Sequence, residues 1–377
     1  MDRLLSDAEI IERVFHHIDN NTTDLGDEVW REPVQNYRCE KRFAAELQMM
    51  RRLPMPFCPS AAIRDVGAYV ARISAGTPLI VVRGQDRVVR AFRNACRHRG
   101  RQLVEGNGCT RSFVCGYHGW AYRLDGKLAK IPHEEGFPQI DKRELGLAEV
   151  AVTEKGGIVF VTQEDEISDG ALDSLPDMFL EEQFVFDAKD YLQPFNWKLN
   201  QEAAMEGYHI KATHSESFYP YGFDNLNVVE NFGRNSRITF PFRRIEELRD
   251  VPESDRDISG KVTYANVLFP NVLIAVLSRH TAMAVAEPVS PFETHMYTYR
   301  LSNPGNDGSS EALSEARYDA DFVAETGLME DLATTRSIQA GLDSGANTHF
   351  TYGHFEKAIV HFHKTLADQL SRAGFAD

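Results

Sequence analysis

Two groups of residues in this 377-residue chain have the types and spacing to hold metal. The first comprises Cys96 and His98 in "NACRHRG" and Cys115 and His118 in "FVCGYHGWAY", a C-x-H-x16-C-x2-H pattern. A structural zinc site can use two cysteines and two histidines, and scattered Cys and His are often plain core residues. Familiar zinc modules, however, often group Cys with Cys and His with His, whereas each half here mixes the two. A [2Fe-2S] centre with two thiolates on one iron and two imidazoles on the other needs that mixture, one pair from each of two loops. Imidazole in place of thiolate raises the reduction potential, which suits the cluster to accept electrons from a ferredoxin or flavin reductase.

The second group lies in "NWKLNQEAAMEGYHIKATH", where Glu206, His209 and His214 stand at E-x-x-H-x4-H. Residues three apart share a helical face, so Glu206 and His209 point together, while the five-residue step to His214 turns about 140° past that face. The helix must end or distort before His214 if both imidazoles are to reach one metal. Two imidazoles and a carboxylate form the facial triad of non-haem Fe(II) oxygenases, with open positions for O2 and substrate. The alternative is a pair of partly buried histidines with no metal.

The elements that must position these groups follow from the rest of the chain. Its length suggests two domains. A net charge of −15 with 26% charged residues argues against a nucleic-acid binder, whose surface should be basic. No run approaches the roughly 18 apolar residues of a membrane span, and the N-terminus lacks the pattern of a signal peptide, so a cytoplasmic protein without membrane contact is expected. Five cysteines, an odd number, fit reduced thiols or metal ligands better than a disulfide framework. Apolar spacing in "LSDAEIIERVFHHID" predicts a helix over 5–19 capped by Ser6. From about residue 67, "GAYVARI", "PLIVVRG", "RVVRAFRN" and "GIVFVTQ" read as short strands, with Asp125-Gly126 turning a hairpin. After the acidic stretch 164–187, a helix carrying "NQEAAMEGYHI", extended runs, and long helices at about 313–342 and 353–373 predict an α+β half with an antiparallel sheet. No G-x-G-x-x-G fingerprint for flavin or nicotinamide is present.

"CRHRG" followed by "CGYHGWAY" and an "LDG" hairpin resembles the Rieske domain of the Rieske non-haem iron oxygenases, the ring-hydroxylating oxygenase α subunits. The sequence departs from that family at Gly116, where proline is common, and keeps all four ligands. The resemblance reaches from about residue 40 to the C-terminal "FTYGHFEKAIVHFHKTL". It implies an α+β protein: an N-terminal helix and arm over 1–43 packing on the catalytic domain, an all-β Rieske [2Fe-2S] domain over 44–165, and a helix-grip catalytic domain over 166–377. In "MEDLATTRSIQAGL" it implies Asp331 as the third iron ligand, preceding a helix that ends in Gln-x-Gly-Leu. Glu330, about 100° away on a helix, is the weaker candidate. His354, His361 and His363 are read as packing or surface residues.

Most members of the family carry aspartate at position 206, bridging a cluster histidine of one subunit to an iron histidine of the next. The resemblance therefore implies that His118 donates to Glu206 and that Glu206 accepts from His209, an electron path between subunits. Carnitine-type oxygenases also have glutamate there. A carboxylate that merely orients His209 is the simpler reading. "SESFYPYGFDNLNVVENFGRNSRITFPFRR" offers aromatic side chains for an aromatic ring, an ammonium cage or sheet core, with Arg243 and Arg244 as a solvated pair or a carboxylate anchor. The expectation is a homotrimeric terminal oxygenase containing a [2Fe-2S] cluster and mononuclear Fe(II). An NAD(P)H-dependent reductase, with or without a ferredoxin, supplies its electrons, and O2 hydroxylates or dihydroxylates a small aromatic compound. The alternatives are a monooxygenase or demethylase of a quaternary or N-methylated amine, and a non-catalytic Rieske electron carrier.

Overall fold

The computed structural model describes residues 3–166 and 170–375, which divide into two compact units: 47–184, and 1–46 with 185–377. The whole net charge belongs to the second. Residues 47–184 carry 18 Lys and Arg against 18 Asp and Glu, leaving 23 against 38 elsewhere.

The 47–184 unit is a seven-stranded antiparallel sheet in the order 55–59, 158–162, 149–155, 89–93, 77–83, 68–74 and 106–109. A smaller three-stranded sheet joins 113–114, 121–122 and 128–130. The strands predicted at "GAYVARI", "PLIVVRG", "RVVRAFRN" and "GIVFVTQ" are all present, and the Asp125-Gly126 turn is closed by the Arg123 N–H to Lys127 carbonyl bond. Phe92, Phe113, Trp120, Tyr122 and Leu124 fill its core together with Cys96 and Cys115, so both cysteines are anchored from within.

In the other unit, α1 (Asp7–Asn20) begins at Ser6, whose hydroxyl accepts the Glu9 N–H while Glu9 accepts the Ser6 N–H. Its apolar stripe of Ile10, Ile11, Val14 and Phe15 packs on Leu226, Val228, Ile245 and Val262. Helix α2 (Glu40–Arg51) contains the first unit boundary. The seven-stranded antiparallel sheet runs 185–193, 293–302, 280–290, 272–276, 262–268, 235–241 and 228–232.

Three predicted helices differ from those observed. The one carrying Glu206 and His209 is two pieces, α3 (Trp197–Ala203) and α4 (Ile210–Thr213), with Glu206 in the link and His209 at the N-terminus of α4. Gly207 lies in that link, where a side chain would meet the Asn227 amide at 2.4 Å. The single helix expected over 313–342 is broken at Thr326 (φ −115°, ψ −100°) into α5 (Ser310–Glu325) and α6 (Gly327–Leu342). The last helix, α7 (Lys357–Arg372), starts later than expected because 354–356 forms a 3-10 turn, which follows a strand at 349–352 paired with 30–33.

Candidate metal centres

The four residues expected to hold a cluster, Cys96, His98, Cys115 and His118, sit on two equivalent turns. The Cys96 N–H donates to the Arg101 carbonyl and the Gly100 N–H to the Cys96 carbonyl. The Cys115 N–H donates to Trp120 and the Gly119 N–H to Cys115 in the same way. Both turns need a left-handed residue at their fourth step, and glycine takes it in each, with φ +77° at Gly100 and +73° at Gly119. The thiols point into the core, and the His98 and His118 rings lie beside each other with centroids 4.7 Å apart. His98 stacks on Trp120 at 4.8 Å, while His118 lies against Tyr117 and is exposed. Burial, His118 and Arg99 hold His98 below the ordinary histidine range, favouring the neutral imidazole a ligand must be. The Tyr122 hydroxyl is 3.3 Å from Cys96 Sγ and accepts the Arg97 N–H, a partner to the sulfur that sequence spacing does not reveal. This donor set, two buried thiols and two adjacent imidazoles, suits a [2Fe-2S] cluster.

In the other unit, His209, His214 and Asp331 bring one ligand atom each to within 4.8 Å of one another. Asp331 is inside α6, in its second turn, not ahead of a helix as expected from the sequence. Its Oδ1 lies 2.9 Å from His214 Nε2 and 3.5 Å from His209 Nε2. Behind the rings, His209 Nδ1 donates to Glu206 Oε1 at 2.5 Å, and His214 Nδ1 donates to Glu330 Oε2 at 2.7 Å. Glu206 thus reaches His209 without a continuous helix, helped by its second oxygen, which accepts the His209 N–H at 3.1 Å. Burial lowers the His209 pKa, yet the bonds to Asp331 and Glu206 outweigh it and push it up to about 10. Burial likewise opposes charge on His214, and Asp331 more than offsets it. Three carboxylates around two imidazoles make a field that favours positive charge between them, as a divalent iron site requires.

The other candidates lie elsewhere. His354 is exposed and donates to the Gly26 carbonyl, and His361 is half-buried against the Gly233 carbonyl. His363 is wholly buried in a network with Glu202, Tyr37 and Tyr352. Arg243 and Arg244 are exposed, Arg243 over the Tyr219 and Phe223 rings and Arg244 over Phe242. Phe218 is the aromatic residue against the site, 4.9 Å from the His214 ring.

Residues 54–145 match the Rieske [2Fe-2S] domain, and residues 181–372, half of the chain, match the ring hydroxylating alpha subunit (catalytic domain) family. The chain belongs to that family. It is a Rieske non-haem iron oxygenase, an oxidoreductase whose cofactors are a Rieske cluster and a mononuclear iron that activates O2. The carnitine monooxygenase oxygenase subunit of Escherichia coli (strain K12) is 27% identical over 371 residues, 90% of this chain and 94% of that protein. Chlorobenzene dioxygenase subunit alpha of Cupriavidus sp. (strain PS12) is 30% identical over 164 residues, 40% of this chain and 36% of that one. The crystal structure of a quaternary ammonium Rieske monooxygenase, CntA, superposes with TM-score 0.77 and 20% identity, covering 98% of this oxygenase and 99% of the other chain. Like other Rieske oxygenases, it takes electrons from a partner reductase or ferredoxin and binds a small-molecule substrate. Among its described residues, no helix is long and apolar enough to cross a membrane.

Proposed function

We propose that this oxygenase hydroxylates a methyl or methylene carbon next to the nitrogen of a quaternary or N-methylated ammonium compound. The observation that carries the reading is the match to a carnitine monooxygenase subunit along almost the whole chain, catalytic half included. The chlorobenzene dioxygenase match covers 40% of it. This reading displaces the aromatic substrate expected from the sequence. Two features support it: the entire −15 charge resides outside residues 47–184, an attractive field for a cation, and position 206 is glutamate.

In this reading Cys96, His98, Cys115 and His118 hold the Rieske cluster, and His209, His214 and Asp331 hold the mononuclear iron. Bound iron supplies the O2 activation. The chain's own groups do the rest: Tyr122 donates to Cys96, Glu206 keeps the Nδ1 proton of His209 and so turns Nε2 toward Asp331, and Phe218 walls the His214 side. We further propose a homotrimer in which His118 of one subunit meets Glu206 of the next. The balance is C–H plus O2, two electrons and two protons giving C–OH and water. From an N-methyl group of a quaternary ammonium, the hydroxymethyl product then breaks its C–N bond to give formaldehyde, the tertiary amine and a proton.

The test pairs the purified subunit with an NAD(P)H-dependent reductase and compares carnitine, betaines and choline with aromatic acids and hydrocarbons, following O2 uptake and product mass. Hydroxylated or dealkylated amine in proportion to O2 is the expected result. A diol from an aromatic compound, with no amine oxidised, would refute the proposal.

A further inference from the structure

The proposed iron ligands leave Glu330 and Ser217 without a role. Glu330 neighbours Asp331 on α6, and the two carboxylates hold opposite nitrogens of one ring: Asp331 Oδ1 is 2.9 Å from His214 Nε2, and Glu330 Oε2 is 2.7 Å from Nδ1. The ring is buried, but the Glu330 side chain is 35% exposed, so water competes for it. Ser217 counters this by donating its hydroxyl to the same Oε2 at 2.5 Å. Ser217 is itself buried and follows His214 by three residues, with its N–H bonded to the His214 carbonyl at 3.2 Å. His214 ends α4 at φ −106°, ψ 32°, outside helical geometry, so helix packing does not fix the ring. The only Nδ1 partner among the described residues is Glu330.

From this arrangement we infer that Glu330, pinned by Ser217, is a positioning residue: it keeps the proton of His214 on Nδ1 and fixes the ring rotation so that the Nε2 lone pair faces the metal position. This rests on the reading that His209, His214 and Asp331 are the iron ligands. Partners of this kind are worth 10- to 100-fold in metal affinity when removed. The role is acceptance of one hydrogen bond, so an uncharged acceptor of the same shape preserves it.

Cobalt(II) added to iron-depleted protein tests this without turnover, because its affinity and visible spectrum both report ligand geometry. Glu330→Ala is expected to weaken Co(II) binding 10- to 100-fold and alter the spectrum. Glu330→Gln should stay within a few-fold of wild type, since its amide oxygen still accepts from Nδ1, and Ser217→Ala should fall between. Thermal unfolding and cluster absorption of each variant separate these effects from misfolding. Wild-type affinity and spectrum in Glu330→Ala would overturn the inference, and so would equal losses in the Ala and Gln variants. Asp331→Ala is the control: unaltered Co(II) binding there would overturn the ligand assignment itself, a result distinct from failure at Glu330.

Discussion

Gly327 is the position where one methyl group should do most harm to the mononuclear site. It is buried at the start of α6, and a Cβ there would lie 2.0 Å from Phe218 Cε2 and 2.1 Å from Cζ. Its φ is ordinary, so glycine is needed for room and not for conformational freedom. Restoring van der Waals contact requires about 1.4 Å of separation between ring and helix, a rigid displacement that α6 carries to Asp331 one turn on. Overpacking of this kind costs about 1–3 kcal/mol, offset by the roughly 0.5–1 kcal/mol that alanine gains over glycine in a helix. The net loss of stability in Gly327→Ala is therefore small. Geometry suffers more, because a misplacement of about 1 Å costs on the order of 100-fold in rate. The variant should keep its cluster spectrum, melt within a few degrees of wild type, and lose most of its mononuclear iron and turnover. Adding Phe218→Ala should restore iron binding by removing the ring. Wild-type iron content and turnover in Gly327→Ala would refute the reasoning.

Cys96→Ser or His118→Ala should abolish the visible cluster absorption and its reduced-state EPR signal while leaving Co(II) binding at the other site intact, and Asp331→Ala should do the reverse. Lys198 is 1% exposed, with Nζ at 2.8 and 2.9 Å from the two oxygens of buried Glu46, which also accepts from Trp197. Lys198→Met takes the shorter ion pair from that carboxylate, leaving it Arg42 at 3.4 Å, and should lower the unfolding free energy by about 3 kcal/mol, measured by denaturant titration. Burial pushes Glu356 up to about 7, against the Gly353 N–H and with help from the charges of Glu206 and Glu202. The folded protein then keeps a proton that the unfolded chain releases, so this group makes stability fall as pH rises from about 4.5 to about 7 and adds no slope above that. Glu356→Gln should flatten the denaturation midpoint across that window, and an unchanged slope would count against it.

The paired Cys and His residues were legible because each pair is local: the four proposed ligands come from two short turns. The strands of the cluster-bearing unit were legible for the same reason, being short apolar runs between Gly and Asp. The Glu206–His209 contact also follows from nearby residues, but the helix expected to carry it ends at Ala203, and Gly207 in the link packs closely against Asn227, a residue twenty positions on. Glu330 was discounted because its side chain leaves α6 about 100° from Asp331. That angle is what lets the two carboxylates meet opposite nitrogens of one imidazole, which appears only when His214 is set against the helix. The buried Tyr37, Glu202, Tyr352 and His363 network draws on three separated regions of the chain, so no periodicity announces it.

The two turns proposed to hold the cluster are each closed by a pair of main-chain hydrogen bonds, and Trp120 and Tyr122 brace them from the core. No ligand atom is used in closing them. Small zinc modules differ, because there the metal's binding free energy is consumed in folding the chain. Here the main-chain bonds of the turns and the core behind them lie within one unit, so cluster-free protein is expected to keep the fold of that unit, which circular dichroism of the Cys96→Ser variant checks.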